Sequence, residues 1–224
     1  MAEYVHRDHQ GQPVSLPAGK VVCVGRNYMD HIRELNNEVP DKPLLFIKPS
    51  TSLQPFAGEI VIPADQGECH NELEVAVLIK ERLSQASAEQ AQAAIWGYGV
   101  ALDLTLREVQ SDLKAKGQPW ERAKAFDGSC PVSGFVPAPG ITDSTNIDFT
   151  LRVNQSVRQQ GNTKMMIHPI LELICEISRS FTLLPGDLVL TGTPKGVGPL
   201  NAGDRLEATL EGVIEAKARV VNGD

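Results

Sequence analysis

The stretch from Cys69 to Lys80, CHNELEVAVLIK, alternates with a period of two. That alternation predicts a strand with Leu73, Val75, Val77 and Ile79 on one face and Glu72 and Glu74 on the other. The apolar row belongs in a core. Two neighbouring carboxylates on the inward part of a large fold repel each other and lose hydration, which is costly unless a cation lies between them. A hard divalent ion meets that need. The competing reading is a sheet whose second face is solvated, with both glutamates in water.

The surrounding chain has 224 residues, 42% of them hydrophobic, enough for one sizeable core. We expect an N-terminal arm or edge hairpin over residues 1–20 and a single catalytic domain over 21–224. The net charge of -7 argues against a nucleic-acid or anionic-membrane surface, which needs a basic footprint. Cys23, Cys69, Cys130 and Cys175 are far apart and form no CxxC pair, so buried free thiols in a reducing compartment are expected. With a polar N-terminus and no long apolar run, a cytoplasmic location is expected.

Elsewhere, short strands are predicted at Lys20–Val24, Leu44–Ile47, Glu59–Ile62 and Trp96–Leu104, with hairpins across Phe149–Val157 and around Glu211-Gly212. RNYMDHIREL reads as a brief, mobile helix with Tyr28, Ile32 and Leu35 on one stripe and His31 and Glu34 on another. Ser87 with Gln90, and Thr105 with Glu108, have the form of capping boxes, and Gly117 supplies a stop, which predicts a helix over 106–116. A further helix is expected over Ile167–Phe181. The result is a mainly β architecture with short helices packed around it (α+β).

Three carboxylates are candidates for one ion: Glu72, Glu74 and Asp103. An all-oxygen set points to Mg²⁺ or Mn²⁺, with Ca²⁺ possible, and leaves positions open for a substrate offering two oxygens, such as a 2-oxo acid. Asp103, Arg107 and Gln110 fall along one edge of a strand-to-helix junction, which makes Arg107 the cationic neighbour expected for Asp103. His31 is the candidate base, with Glu34 one turn away to orient its ring and raise its pKa; the bland alternative is a surface pair. Lys124, among small apolar residues in RAKAFDG, is placed to stabilise an oxyanion with Arg107 and Gln110, or else is simply solvated. Lys48 either meets a carboxylate or caps a strand end. Gly192-Thr-Pro-Lys-Gly-Val-Gly lacks phosphate-loop spacing and reads as a turn whose Thr193 hydroxyl faces the site.

Taken in order, GRNYMDHIRE, LLFIKPS, NELEVAVLI, GYGVALDLTLREVQ, PWERAKAFDGSCP and PGDLVLTGTPKGVGPL resemble the fumarylacetoacetate hydrolase family, most closely its short acylpyruvate hydrolase and oxaloacetate decarboxylase or tautomerase branch. The resemblance implies a mixed β-sandwich roll and a homodimer binding Mg²⁺ or Mn²⁺. It implies Glu72, Glu74 and Asp103 as metal ligands, His31 and Glu34 as a dyad in a lid, and Arg107, Gln110 and Lys124 as the substrate-polarising group. Arg26, Lys48 and Thr193 complete the candidate substrate contacts. Larger relatives carry a fourth carboxylate seven residues before the histidine, where this chain has Val24, so water is expected to fill that position. The leading expected activity is carbon–carbon hydrolysis of acylpyruvates. The alternative is decarboxylation or keto–enol tautomerisation of oxaloacetate at the same metal. A metal-stabilised scaffold or small-anion binder without turnover is the reading from a different class, and chelation separates it by lost stability rather than lost turnover.

Overall fold

The computed structural model describes residues 4–36 and 38–223. The largest sheet runs β2 (Leu44–Lys48), β1 (Val21–Gly25), β13 (Leu188–Leu190), β6 (Leu73–Ile79), β7 (Ile95–Leu102), β9 (Cys130–Val132), β3 (Leu53–Pro55), and β10 (Val136–Pro137) pairs with β7. A second sheet has the order β12 (Ser156–Asn162), β11 (Asp148–Val153), β15 (Arg205–Leu210), β16 (Ile214–Asn222), β4 (Gly58–Ile62). A small third sheet joins β14 (Gly198–Pro199), β5 (Cys69–Asn71) and β8 (Thr105–Leu106). The helices are α1 (Met29–Glu34), α2 (Ala88–Ala94), α3 (Arg107–Ala115), α4 (Glu121–Lys124) and α5 (Ile170–Ser180). The expected mainly β architecture with short helices is what forms.

Strand β6 sits inside the largest sheet and is buried along its whole length. Leu73, Val75, Val77 and Ile79 enter the large core with Val22, Val24, Leu151 and Ile174. Ala76 and Leu78 point the other way, into a second apolar layer with Val21, Cys23, Phe135 and Leu190. The second face is therefore not solvated. Glu72 and Glu74 continue the row of Ala76 and Leu78, so the alternation carries both carboxylates into the interior. Burying a Leu, Val or Ile fully contributes about 1.5–3 kcal/mol, and this strand uses that gain to hold charge inside the fold. Strand β7 packs close to β10 because of Gly97, where a Cβ would lie 2.2 Å from Val136 O.

Several local expectations change. The capping box at Ser87 forms, with Gln90 N–H donating to Ser87 Oγ and Ser87 N–H donating to Gln90 Oε1. The one at Thr105 does not: Thr105 is a buried strand residue paired with His70, and its hydroxyl donates to Asp103 O at 2.9 Å, so α3 starts without a side-chain cap. Gly117 still ends that helix, at φ +63°. Helix α5 is shorter than expected, with Pro169 at its N-cap. The N-terminal segment makes a bridge between Arg7 and Pro13 as a hairpin would, and most of residues 5–17 are exposed, but two side chains turn inward. His6 is fully buried with Nε2 3.0 Å from Gly186 O, and Val14 joins the second apolar layer. The two prolines and the polar composition masked these two inward positions. No helix among the described residues is long and apolar enough to cross a membrane.

Candidate active site

Glu72 lies just before β6, Glu74 within it, and Asp103 just past the end of β7. Residues 73 and 102 are paired in register, and Asp103 N–H donates to Glu72 O at 2.8 Å, so strand pairing alone brings the acidic side chains together. One oxygen from each of the three lies within 4.8 Å of the others, and all three residues are at least 95% buried. That separation and the all-oxygen donor set fit a single hard divalent ion, which these three residues could hold.

Cations fill only part of the electrostatic need. Lys124 Nζ donates to Glu72 Oε2 at 2.7 Å and to Asp103 Oδ2 at 2.6 Å, and Arg107 Nη2 donates to Glu72 Oε1 at 2.5 Å. Burial pushes the Glu72 carboxyl up, but Lys124, Arg107 and His31 outweigh it and hold the group below the usual carboxylate range. Burial would lower Lys124, yet Asp103 and Glu72 raise its pKa above the ordinary lysine value. Among the described residues Glu74 has no such partner. Burial first, then Asp103 and Glu72, drive its pKa well up, and the Gly192 N–H at 2.6 Å only partly opposes them. Asp103 Oδ1 has Lys48 Nζ at 2.8 Å but accepts no well-directed hydrogen bond, because Lys48 donates to Lys124 O and to Ser129 O and Oγ. A glutamate whose pKa is driven up by burial and like charge, beside a buried carboxylate oxygen without a directed hydrogen bond among the described residues, fits a position for a hard cation.

His31 lines the same cavity from α1. Its Nδ1 is 3.3 Å from Glu34 Oε2, which leaves Nε2 available when Nδ1 carries the proton. Glu34 does raise the basicity of the ring, as expected, but burial prevails and the net pKa lies below the ordinary value of 6.5. His31 is therefore buried and neutral rather than half of a surface pair. The glycine-rich loop does more than turn. Its Gly192 N–H binds Glu74, and its Gly196 N–H donates to Glu34 Oε1 at 2.9 Å, so one loop holds a candidate ligand and the carboxylate of the dyad. Gly192 has φ +98° and a Cβ there would meet Asn27 Cβ at 2.6 Å, which explains the glycine.

The remaining expectations divide. Arg26, Arg107, Gln110, Lys124, Thr193 and Val24 line the cavity. Lys124 is buried and ion-paired, not solvated. Arg107 and Gln110 do share a helix face, joined by a 2.8 Å hydrogen bond, but Arg107 serves Glu72, and the cations at Asp103 are Lys48 and Lys124. Lys48 is fully buried behind Asp103 and is absent from the cavity wall, so its place is to support a carboxylate rather than to touch substrate. The Thr193 hydroxyl is already committed, donating to Leu73 O at 2.9 Å and accepting from Gln159 Nε2 at 2.8 Å. Sequence reasoning missed Gln159, whose Oε1 accepts from Leu73 N–H and Asn71 Nδ2, both at 2.8 Å, fixing the backbone just beside Glu72. Its signal was a polar residue at an inward position of β12. Lys114 and Trp120, also on the wall, were missed too.

A fold of curled sheets with this acidic cavity defines a class. The family profile described as Fumarylacetoacetate (FAA) hydrolase C-terminal matches residues 20–221, and the chain belongs to the fumarylacetoacetate hydrolase family. It is 54% identical over 210 residues to an oxaloacetate tautomerase of Escherichia coli, covering 93% of this chain and 96% of that one. To the mitochondrial oxaloacetate tautomerase of Bos taurus it is 45% identical over 200 residues, covering 89% and 90%. The crystal structure of fumarylpyruvate hydrolase from Pseudomonas aeruginosa in complex with Mn²⁺ and pyruvate superposes with a TM-score of 0.92 at 35% identity, covering 100% of this chain and 97% of that one. The chain is thus a member of an enzyme family, and the oxaloacetate tautomerases among these relatives are more similar to it in sequence than the fumarylpyruvate hydrolase is, although the motifs first suggested acylpyruvate hydrolysis.

Proposed function

We propose that this protein is a divalent-metal-dependent oxaloacetate tautomerase, interconverting the enol and keto forms of a four-carbon 2-oxo dicarboxylate. The observation that carries this reading is the pairing of a buried neutral histidine with a three-carboxylate centre in one cavity, in a chain whose tautomerase relatives are more similar to it than the hydrolase is. The cavity wall supports a doubly charged substrate. Arg26, Arg107, Lys114 and Lys124 face Glu72, Glu74 and Asp103, so a bound divalent ion leaves an excess of positive charge for a dicarboxylate to neutralise.

Glu72, Glu74 and Asp103 would hold Mg²⁺ or Mn²⁺, which when bound would supply Lewis acidity to a 2-oxo acid. Glu34 holds a proton on His31 Nδ1, so Nε2 removes a proton from C3 of the keto form. Negative charge then grows on the 2-oxygen, where the Lys124 ammonium lies close to the same carboxylates and favours it. The imidazolium returns its proton to that oxygen, giving the enol with no atom lost or gained. No water is consumed, so the base acts without placing a nucleophile. Decarboxylation and hydrolysis would instead release the enolate of pyruvate, whose 2-oxygen would be stabilised by the same groups, and are minor activities in this account.

Four free thiols, three of them buried, support a reducing compartment such as the cytoplasm, and a homodimer is proposed on the family resemblance alone. The functional test is the decay of enol-oxaloacetate absorbance in metal-loaded protein, with pyruvate measured in the same samples. Rapid loss of the enol band without matching pyruvate is expected. Pyruvate formed as fast as the enol disappears would assign the protein to decarboxylation instead.

A further inference from the structure

Helix α3 presents Arg107, Gln110 and Lys114 at spacings of three and four, one stripe along its cavity face. Arg107 and Gln110 are accounted for by Glu72 and by each other. Lys114 is not. Its Nζ lies 4.9 Å from the centroid of the Trp120 ring, which holds the ammonium on the cavity wall without neutralising it. Among the described residues no carboxylate forms an ion pair with Lys114; the nearby Asp112 is taken by Lys116 at 2.7 Å. Burial first, then Arg107, Arg26 and Lys124, bring its pKa down to about 8, against an opposing pull from Glu72. Arg26 lines the same cavity from the turn between β1 and α1, in the left-handed region at φ +59°. Such a strained backbone at a cavity wall is a mark of function.

We propose that Lys114, with Arg26 beside it, receives the second carboxylate of the substrate, the one remote from the 2-oxo group, and so selects dicarboxylates over monocarboxylates. This rests on the tautomerase reading for the orientation of the substrate, with its 2-oxo acid end toward Glu72, Glu74 and Asp103. The Trp120 face holds the ammonium at the cavity wall, and with no ion-paired carboxylate among the described residues it is placed to take a ligand carboxylate.

The test compares ligands that differ only in that carboxylate. L-malate and L-lactate share a 2-hydroxy acid end and do not react, so their dissociation constants can be read by calorimetry on the Mn²⁺-loaded protein. Lys114→Gln is expected to weaken malate about tenfold, the loss of one charge-assisted contact, and to change lactate less than about twofold. Steady-state KM for oxaloacetate should rise in parallel with kcat nearly unchanged, as for lost ground-state binding. Lys114→Arg should restore malate binding, and Lys116→Gln, an exposed charge nearby, should leave both ligands unaffected. Equal weakening of malate and lactate by Lys114→Gln, or no weakening of either, overturns the proposal. A wild-type protein that prefers malate yet fails to speed tautomerisation removes the functional reading and leaves the carboxylate receptor standing.

Discussion

Neutralising Glu74 should stabilise the metal-free protein and weaken its hold on metal. Glu74→Gln keeps the shape and an oxygen to accept the Gly192 N–H, while removing a charge that has two carboxylates within 4.8 Å. At that separation and an effective dielectric constant of about 20, one like-charge pair costs about 3.5 kcal/mol. Lys124 offsets part of this, so about 2–3 kcal/mol is the expected ceiling. The sign depends on pH. Because the folded-state pKa of Glu74 is raised above its unfolded value of 4.5, its contribution is intact at pH below that value and is lost as pH climbs through the raised pKa. Wild type and Glu74→Gln should therefore melt together in acid and separate in base. For a 224-residue chain each kcal/mol corresponds to about 2 °C, giving a gap of about 4–6 °C in favour of the variant. Added Mn²⁺ should reverse the order, since the wild type gains the ligand and loses the repulsion, and affinity in the variant should drop by at least tenfold to a hundredfold. Melting curves with and without Mn²⁺ from pH 5 to 9 give both quantities. A metal-free variant less stable than wild type at every pH, or an equal Mn²⁺ effect on the two, would show that Glu74 is neither a repelled charge nor a ligand.

Other consequences are more local. His31→Gln should lower kcat for tautomerisation by about 10²–10⁴ while Mn²⁺ affinity by calorimetry stays within a few-fold. Because burial holds the His31 pKa below 6.5, the neutral base is already present at neutral pH. The kcat/KM profile should therefore be flat there, with its acid limb below 6.5; a limb centred above 7 would contradict this. Gly192→Ala forces a Cβ to within 2.6 Å of Asn27 Cβ at a φ of +98° and should cost about 1–3 kcal/mol in chemical denaturation. It should also weaken metal binding, because the N–H that supports Glu74 is displaced.

Much of the acidic centre was legible in the sequence because strand alternation is a short-range property. Glu72 and Glu74 share a face by period alone, and Asp103 follows a strand that must pair somewhere in the sheet. What period could not give was the nature of that face. Whether Ala76 and Leu78 meet water or a second apolar layer depends on Val21, Phe135 and Leu190, which arrive from distant parts of the chain. The same limit explains the misplaced cations. Arg107 is near Asp103 in sequence, but its reach is to Glu72, while Lys48 and Lys124 come to Asp103 from other elements. Gln159 and Lys114 were hidden for a related reason: one is a polar residue among polar neighbours on a strand, the other a lysine on a charged helix, and only the packing shows that each faces inward. The capping box at Thr105 failed where the one at Ser87 formed, because a strand residue with a buried side chain is not free to cap.

Diffraction from crystals soaked in Mn²⁺, recorded at the manganese absorption edge, would locate the ion directly. One anomalous peak is expected within about 2.2 Å of one oxygen each from Glu72, Glu74 and Asp103, at bond lengths a hard cation adopts. A peak elsewhere, or none at saturating Mn²⁺, would contradict the account of this cavity as a three-carboxylate metal centre.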